Sequence, residues 1–254
     1  MLRSLEAGFI YFPMRDYAAV PRDFGLRAEA LSLESAGGAR LEGWRVFGNG
    51  RRALLLFHGN GGNISHRLER VRDLVELLGL DVFLVDYRGY GKSTGRPSEA
   101  GLYADGEAIY LAARQRGFEP GRIVLFGESL GCAVAVETAI RRPCAAVILE
   151  TPFLSIAEMA KAIYPFLPRF LIRTRFDNAA KIGRLGIAKL IVAAEKDDVV
   201  PPDHARRLYE AALPPRELFV IRGASHNDAY AVGGHEYLDV WRRFLDSAGT
   251  IPSP

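Results

Sequence analysis

The chain has 254 residues, 49% hydrophobic and 25% charged, with a net charge of +3. These are ordinary globular proportions, so the composition excludes disorder, and a charge this small and scattered argues against a nucleic-acid partner. No stretch approaches the ~20 apolar residues needed to cross a bilayer.

Residues 1–25 are aromatic and punctuated by proline, which predicts a strap laid over a sheet edge. The run Gly8–Phe12 is too short for the apolar core of a signal peptide and ends at Pro13. These residues do not speak to an anchor trimmed from the N-terminus. Leu31–Leu33 and Leu41–Phe47 flank Gly37-Gly38, a hairpin signal with alternating character. From residue 53 the rhythm changes. Ala53–Phe57 and Val82–Val85 read as buried strands, and Leu68, Val71, Leu74, Val75 and Leu78 recur at helical spacing between them. Helix is predicted over 99–116, strand over Ile123–Phe126, helix over 130–141 and strand over Ala145–Leu149. After an interruption at 154–188, strands at Lys189–Ala193 and Glu217–Ile221 alternate with helices around 203–212 and 236–246. Strands that are apolar throughout and alternate with helices predict a mostly parallel sheet covered on both faces.

The stretch Gly127-Glu128-Ser129-Leu130-Gly131 joins the strand 122–126 to the helix that follows. A G-x-S-x-G pattern in that context is a nucleophile elbow, whose glycines leave room for a sharp turn that exposes the serine Oγ. A serine hydroxyl needs a base, and the base needs orienting. In such a sheet the working loops lie at the carboxyl ends of the strands. Those ends carry Ser129, then Asp197 and Asp198 after 189–194, then His226 after 217–221, and the glycine-rich His58-Gly-Asn-Gly-Gly-Asn63 after 53–57. Glu150, closing the strand 145–149, is a further candidate acid.

In chain order, HGNGGN, DYRGYGKSTG, GESLG, DDVVPP and GASHND resemble the α/β-hydrolase superfamily, in particular its small-lid branch of serine esterases, thioesterases and depalmitoylase-like proteins. The resemblance covers residues 9 to 246. It implies an α/β-hydrolase fold filling one domain, 1–254, with 154–188 as a lid. It also implies Ser129 as nucleophile, His226 as base and Asp197 as the acid, the first residue of the D-x-x-V-P pattern. The oxyanion hole would be the backbone N–H groups of Leu130 and Asn60, with Gly61 the alternative to Asn60. Acyl transfer of this kind requires neither metal nor organic cofactor.

Other residues read more plainly. His58 is expected to orient its loop, and His66, His204 and His235 to fill surface or capping roles. Glu128 is expected to tie down local backbone, and Asp86 and Arg88 to organise the Gly89/Gly91 loop. Gly91-Lys92-Ser93 is not a phosphate loop, because Asp86 stands where the first glycine would be. Cys132 and Cys144 read as core thiols of a reducing compartment, which points to the cytoplasm. The interruption carries six Lys or Arg against Glu158 and Asp177, interwoven with Ile163, Tyr164, Phe166, Leu167, Phe170, Leu171 and Ile172. It reads as a lid with a basic outer face. The sharper expectation is an acyl slot, formed by lid and aromatic N-terminus, that meets a lipid surface at its anionic headgroups.

Overall fold

The computed structural model describes residues 2–163 and 172–248. Tyr164, Phe166, Leu167, Phe170 and Leu171, assigned above to the lid, lie outside the described residues, as does Arg169, one of its six basic residues.

Eight strands form one sheet in the order β10-β9-β8-β7-β4-β6-β3-β2. Their ranges are β2 Ala28–Ser35, β3 Ala39–Val46, β4 Ala53–Phe57, β6 Asp81–Val85, β7 Ile123–Glu128, β8 Ala146–Glu150, β9 Ala188–Ala194 and β10 Arg216–Ile221. β2 and β3 are the antiparallel hairpin, and β3 also runs antiparallel to β6. Every other pairing is parallel. Alternation along the strands explains their unbroken apolar character. Leu55 and Phe57 of β4, Leu125 of β7 and Leu149 of β8 enter one core layer, with helices α3 (Glu99–Gln115) and α4 (Leu130–Arg141). Leu54, Leu56, Phe126 and Ile148 enter the other, with α2 (Leu68–Leu78) and α8 (Ala229–Ala248). A strand apolar on only one face could not fill both layers.

The N-terminus departs from expectation. Residues 2–25 are not a plain strap, although Tyr17 does pack on Trp44 of β3, beside the edge strand β2. They begin with helix α1, Leu2–Ile10, and then form β1, Phe12–Pro13, which pairs in parallel with β5, Gly61–Gly62, inside the glycine-rich loop. The helical spacing was hidden because α1 is brief and ends one residue before a Phe-Pro pair. Of the interruption, α5 (Ile156–Ile163) and α6 (Ala179–Ile182) are described. Among the described residues, no helix is long and apolar enough to cross a membrane. Cys132 and Cys144 are free and buried.

Candidate active site

At the end of β7 the chain turns so sharply that Ser129 takes φ 51°, ψ −112°. A side chain at positive φ costs about 1–3 kcal/mol and persists only where its surroundings enforce it. Here they do: the Ser129 N–H donates to Glu150 O of the next strand (2.9 Å) and the Cys132 N–H to Ser129 O (3.0 Å). The flanking glycines leave no space for anything larger. A Cβ on Gly131 would lie 1.9 Å from Phe57 O, and one on Gly127 2.5 Å from the backbone of Cys132.

The elbow raises Oγ to a histidine from another loop. The Ser129 hydroxyl donates to His226 Nε2 at 3.0 Å, and His226 Nδ1–H donates to Asp197, at 3.0 Å to Oδ1 and 2.9 Å to Oδ2. Asp197 Oδ1 also accepts from the amides of Val199 and Val200, at 2.9 and 2.7 Å. The carboxylate is therefore aimed by its own turn. The side chains of His226 and Asp197 are 8% and 4% exposed, which shields the pair from solvent. Asp198 is exposed and, among the described residues, accepts only a long 3.4 Å bond from the His226 backbone. Glu150 is buried and accepts from Tyr237 Oη at 2.5 Å while pairing with Arg70 at 2.8 Å. Of the three candidate acids, Asp197 is the one on the histidine ring.

The glycine-rich loop faces the serine. His58 Nδ1–H donates to Gly59 O at 2.8 Å. That carbonyl shares a peptide plane with the Asn60 N–H, so fixing one fixes the other. The next carbonyl, Asn60 O, accepts from the Phe12 amide (2.9 Å) and from Tyr90 Oη (2.8 Å). Among the described residues, the Asn60 N–H donates no hydrogen bond. The Leu130 N–H opens α4, where the first amides have no intrahelical acceptor. Both groups remain available to a ligand oxygen. A cleft of about 260 Å³ opens beside Ser129 and Asn60, lined by Met14, Gly59–Gly62, His66, Arg67, Glu128, Ser129, His226 and Asn227. A second hollow, about 370 Å³ and lined by Glu6, Tyr11, Tyr103 and Arg173 among others, lies beside α1 and does not include Ser129.

Residues 48–181 match the family described as serine aminopeptidase, S33. The chain belongs to this family of α/β-hydrolases. It is 38% identical over 253 residues to an uncharacterised protein of Mycobacterium tuberculosis, covering 98% of this chain and 90% of that protein. It is 33% identical over 275 residues to the Arabidopsis thaliana alpha/beta hydrolase domain-containing protein WAV2, covering 97% and 89%. In fold it resembles the Pyrococcus furiosus esterase, with a TM-score of 0.76 at 16% identity over 94% of this chain and 98% of the esterase.

The electrostatics around the site of this α/β-hydrolase follow from burial. His58 is wholly enclosed, and burial, reinforced by the Arg67 charge, lowers its pKa to about 3. It is a neutral brace, as its place before Gly59 suggested. Its Nε2 has no partner among the described residues and stands 3.6 Å from Asp86 Oδ1. Burial raises Asp86 to about 7, against the pull of Tyr17 Oη and the Ile64 N–H that it accepts. Asp86 does sit under the Gly91 turn, where a Cβ would lie 1.9 Å from its Oδ2. Arg88 instead reaches away to Asp105 (2.7 Å) and Ser35 Oγ (2.9 Å), tying α3 to the hairpin.

Glu128 corrects another expectation. Among the described residues its carboxylate meets no backbone amide, and it pairs instead with Arg67 (2.9 Å) and Arg70 (3.6 Å). Burial opposes its charge, yet the two arginines bring its pKa down to about 2. His66 caps its turn, with Nδ1 accepting from the Asn63 amide at 3.2 Å, and His235 is exposed. His204 is buried rather than at the surface, and its Nδ1 accepts from the Leu154 amide at 3.4 Å. Sequence reasoning missed Arg67, Arg70, Tyr90 and Tyr237. Nothing local marks them, because each has a partner distant in the chain: Glu128 for Arg67, Glu150 for Arg70 and Tyr237, and Asn60 for Tyr90.

Proposed function

We propose that this protein is a serine hydrolase that cleaves carboxylic esters or thioesters through an acyl-enzyme. The observation that carries the reading is His226, hydrogen-bonded at one nitrogen to Ser129 and at the other to Asp197. With Nδ1–H given to the carboxylate, Nε2 is free to take the Ser129 proton as Oγ attacks the acyl carbonyl. Asp197 stabilises the imidazolium that forms. The amides of Leu130 and Asn60 receive the developing oxyanion, and loss of one such donor costs about 10²–10³ in rate. His226 returns its proton to the leaving group, and water repeats the sequence on the acyl-serine.

An aminopeptidase reading, which the family description invites, is weaker. A free amino terminus calls for an unpaired carboxylate at the cleft, and the one lining it among the described residues, Glu128, is engaged by Arg67. The acyl group is read as apolar, seated along Met14 and the strap. The same strap exposes Phe9 (71%), Phe12 (52%) and Met14 (53%). Beside it stands exposed Arg173, whose backbone N–H is held by Glu6 of α1 at 3.1 Å. This combination of apolar ridge and cation suits an anionic lipid surface. Flotation with phosphatidylserine vesicles should weaken in Phe9→Ser/Phe12→Ser, and equal flotation would remove the lipid contact.

Hydrolysis of p-nitrophenyl esters from acetate to palmitate, beside Ser129→Ala, tests the activity. Turnover abolished by the substitution, together with fluorophosphonate labelling of Ser129, is the expected result. A wild-type protein that neither turns over esters nor takes the label would make it a ligand-binding member of the fold.

A further inference from the structure

The two proposed oxyanion donors belong to different parts of the chain. The Leu130 amide rides on the elbow and α4, and the Asn60 amide on the loop after β4. No covalent path of fewer than about 70 residues joins them, yet the hole works only if both lie about 2.7–3.1 Å from one oxygen. Something must set their separation. From the N-terminal side, the strap and Tyr90 hold Asn60 O in place. From the elbow side, one side chain spans the gap.

We infer that Arg67 is a positioning residue for the oxyanion hole, its guanidinium fixing the glycine-rich loop to the nucleophile elbow. At one edge Nε and Nη2 donate to the two oxygens of Glu128, at 3.3 and 2.9 Å. At the other, Nη1 donates to Gly61 O at 3.3 Å and, more weakly, to Asn63 O at 3.4 Å. Glu128 is the residue before Ser129, and Gly61 the residue after Asn60, so each contact falls on a residue adjacent to one that bears a reacting group.

The guanidinium is a planar fork that reaches both sides at fixed spacing, which the single ammonium of lysine does not. Side-chain exposures of 14% for Arg67 and 21% for Glu128 leave little water to compete. All three guanidinium nitrogens are engaged by protein acceptors, so Arg67 holds the cleft wall rather than a substrate anion. Arg70, 3.6 Å from Glu128, leaves that carboxylate a counter-ion when Arg67 is removed. An Arg67 variant therefore has no orphaned charge to unfold it.

The inference rests on the acyl-transfer reading, and Ser129→Ala separates the two. Arg67→Gln, Arg67→Lys, Glu128→Gln and the double Arg67→Gln/Glu128→Gln would be compared with wild type. The readouts are kcat and KM on the best p-nitrophenyl ester, the rate of fluorophosphonate labelling, inhibition by an aryl trifluoromethyl ketone, and Tm. The ketone adds Ser129 Oγ to its carbonyl carbon, the C=O pair moves onto oxygen, and His226 keeps the serine proton.

Arg67→Gln should lower kcat by about 10–100-fold with KM within about threefold. The ketone's Ki should rise and labelling slow by a similar factor. Lysine should restore little, and the double variant should be no worse than Arg67→Gln, because both changes cut one link. A fall in Tm with kcat and Ki unchanged would make the link purely structural and overturn the inference. A loss confined to KM would also overturn it, by making Arg67 a substrate contact. If Ser129→Ala is as active as wild type, or wild type neither turns over nor labels, the acyl-transfer reading falls and this inference with it.

Discussion

Gly131→Ala tests the packing that lifts the nucleophile. A Cβ there would stand 1.9 Å from Phe57 O, 2.5 Å from Phe57 C and 2.8 Å from His58 O, whereas real Cβ contacts essentially never fall below 3.0 Å. All three neighbours are backbone, so no side chain can swing aside. Helix α4 must then move from β4 by about 1 Å. Forcing extra carbon into a packed interface costs about 1–3 kcal/mol, and the absence of a flexible neighbour places this site at the upper end. Alanine's better helix propensity returns about 0.5–1 kcal/mol, for a net loss of about 2 kcal/mol. In a chain of this size that lowers Tm by roughly 4–8 °C. The catalytic effect should be larger in proportion. The same movement displaces Ser129 and the Leu130 amide relative to His58 and Asn60, and a 1 Å misplacement can cost about 10²-fold in rate. Differential scanning fluorimetry and p-nitrophenyl ester kinetics measure both. Gly8→Ala in α1, where a Cβ meets nothing within 4 Å, is the control: kcat should be unchanged, and Tm unchanged or slightly raised by the same propensity gain. A Gly131→Ala protein with wild-type Tm and kcat within threefold would refute the close approach of α4 to β4.

Two acids distinguish scaffold from chemistry. Asp197→Asn should keep Tm near wild type and lower kcat by about 10⁴-fold, whereas Glu150→Gln, which weakens the buried Arg70 and Tyr237 hydrogen bonds but leaves Arg70 its Glu128 counter-ion, should cost about 1–3 kcal/mol in urea unfolding while the folded enzyme stays active; the reverse pattern would make Glu150 the acid of the proposed mechanism. Stability against pH should expose the His58–Asp86 pair. His58, down to about 3 from 6.5, contributes stability that is full above pH 6.5 and lost as pH falls. Asp86, up to about 7 from 3.8, contributes stability present below pH 3.8 and lost as pH rises through 7. Between about pH 4.5 and 6.5 the slopes oppose, so Asp86→Asn should gain on wild type by roughly 1.4 kcal/mol per pH unit, and parallel urea-derived curves would disprove the burial of Asp86.

The sheet, its hairpin and the three residues the structure joins by hydrogen bonds, Ser129, His226 and Asp197, were legible in the chain because each has a local cause. Period-two hydrophobic alternation makes the hairpin, apolar runs bounded by turn residues make the parallel strands, and G-x-S-x-G between strand and helix makes the elbow. Asp197 and His226 could be placed because strand ends converge on one edge of such a sheet, whatever the intervening length. The D-x-x-V-P resemblance already favoured Asp197 over Asp198 and Glu150, but the physical reason needed three dimensions: the amides of Val199 and Val200 aim one carboxylate, and Arg70 and Tyr237 engage the other. So did the course of the N-terminus. Nothing in Phe12-Pro13 indicates that it will pair with Gly61-Gly62, since a two-residue bridge depends on which surface α1 leaves the strap facing. Arg67 is the clearest case: Glu128 lies 61 residues away, and a charge pair over that distance has no periodicity to betray it. Local propensity and patterning determine elements and their order, while partners brought together by burial emerge only when the sheet is closed on both faces.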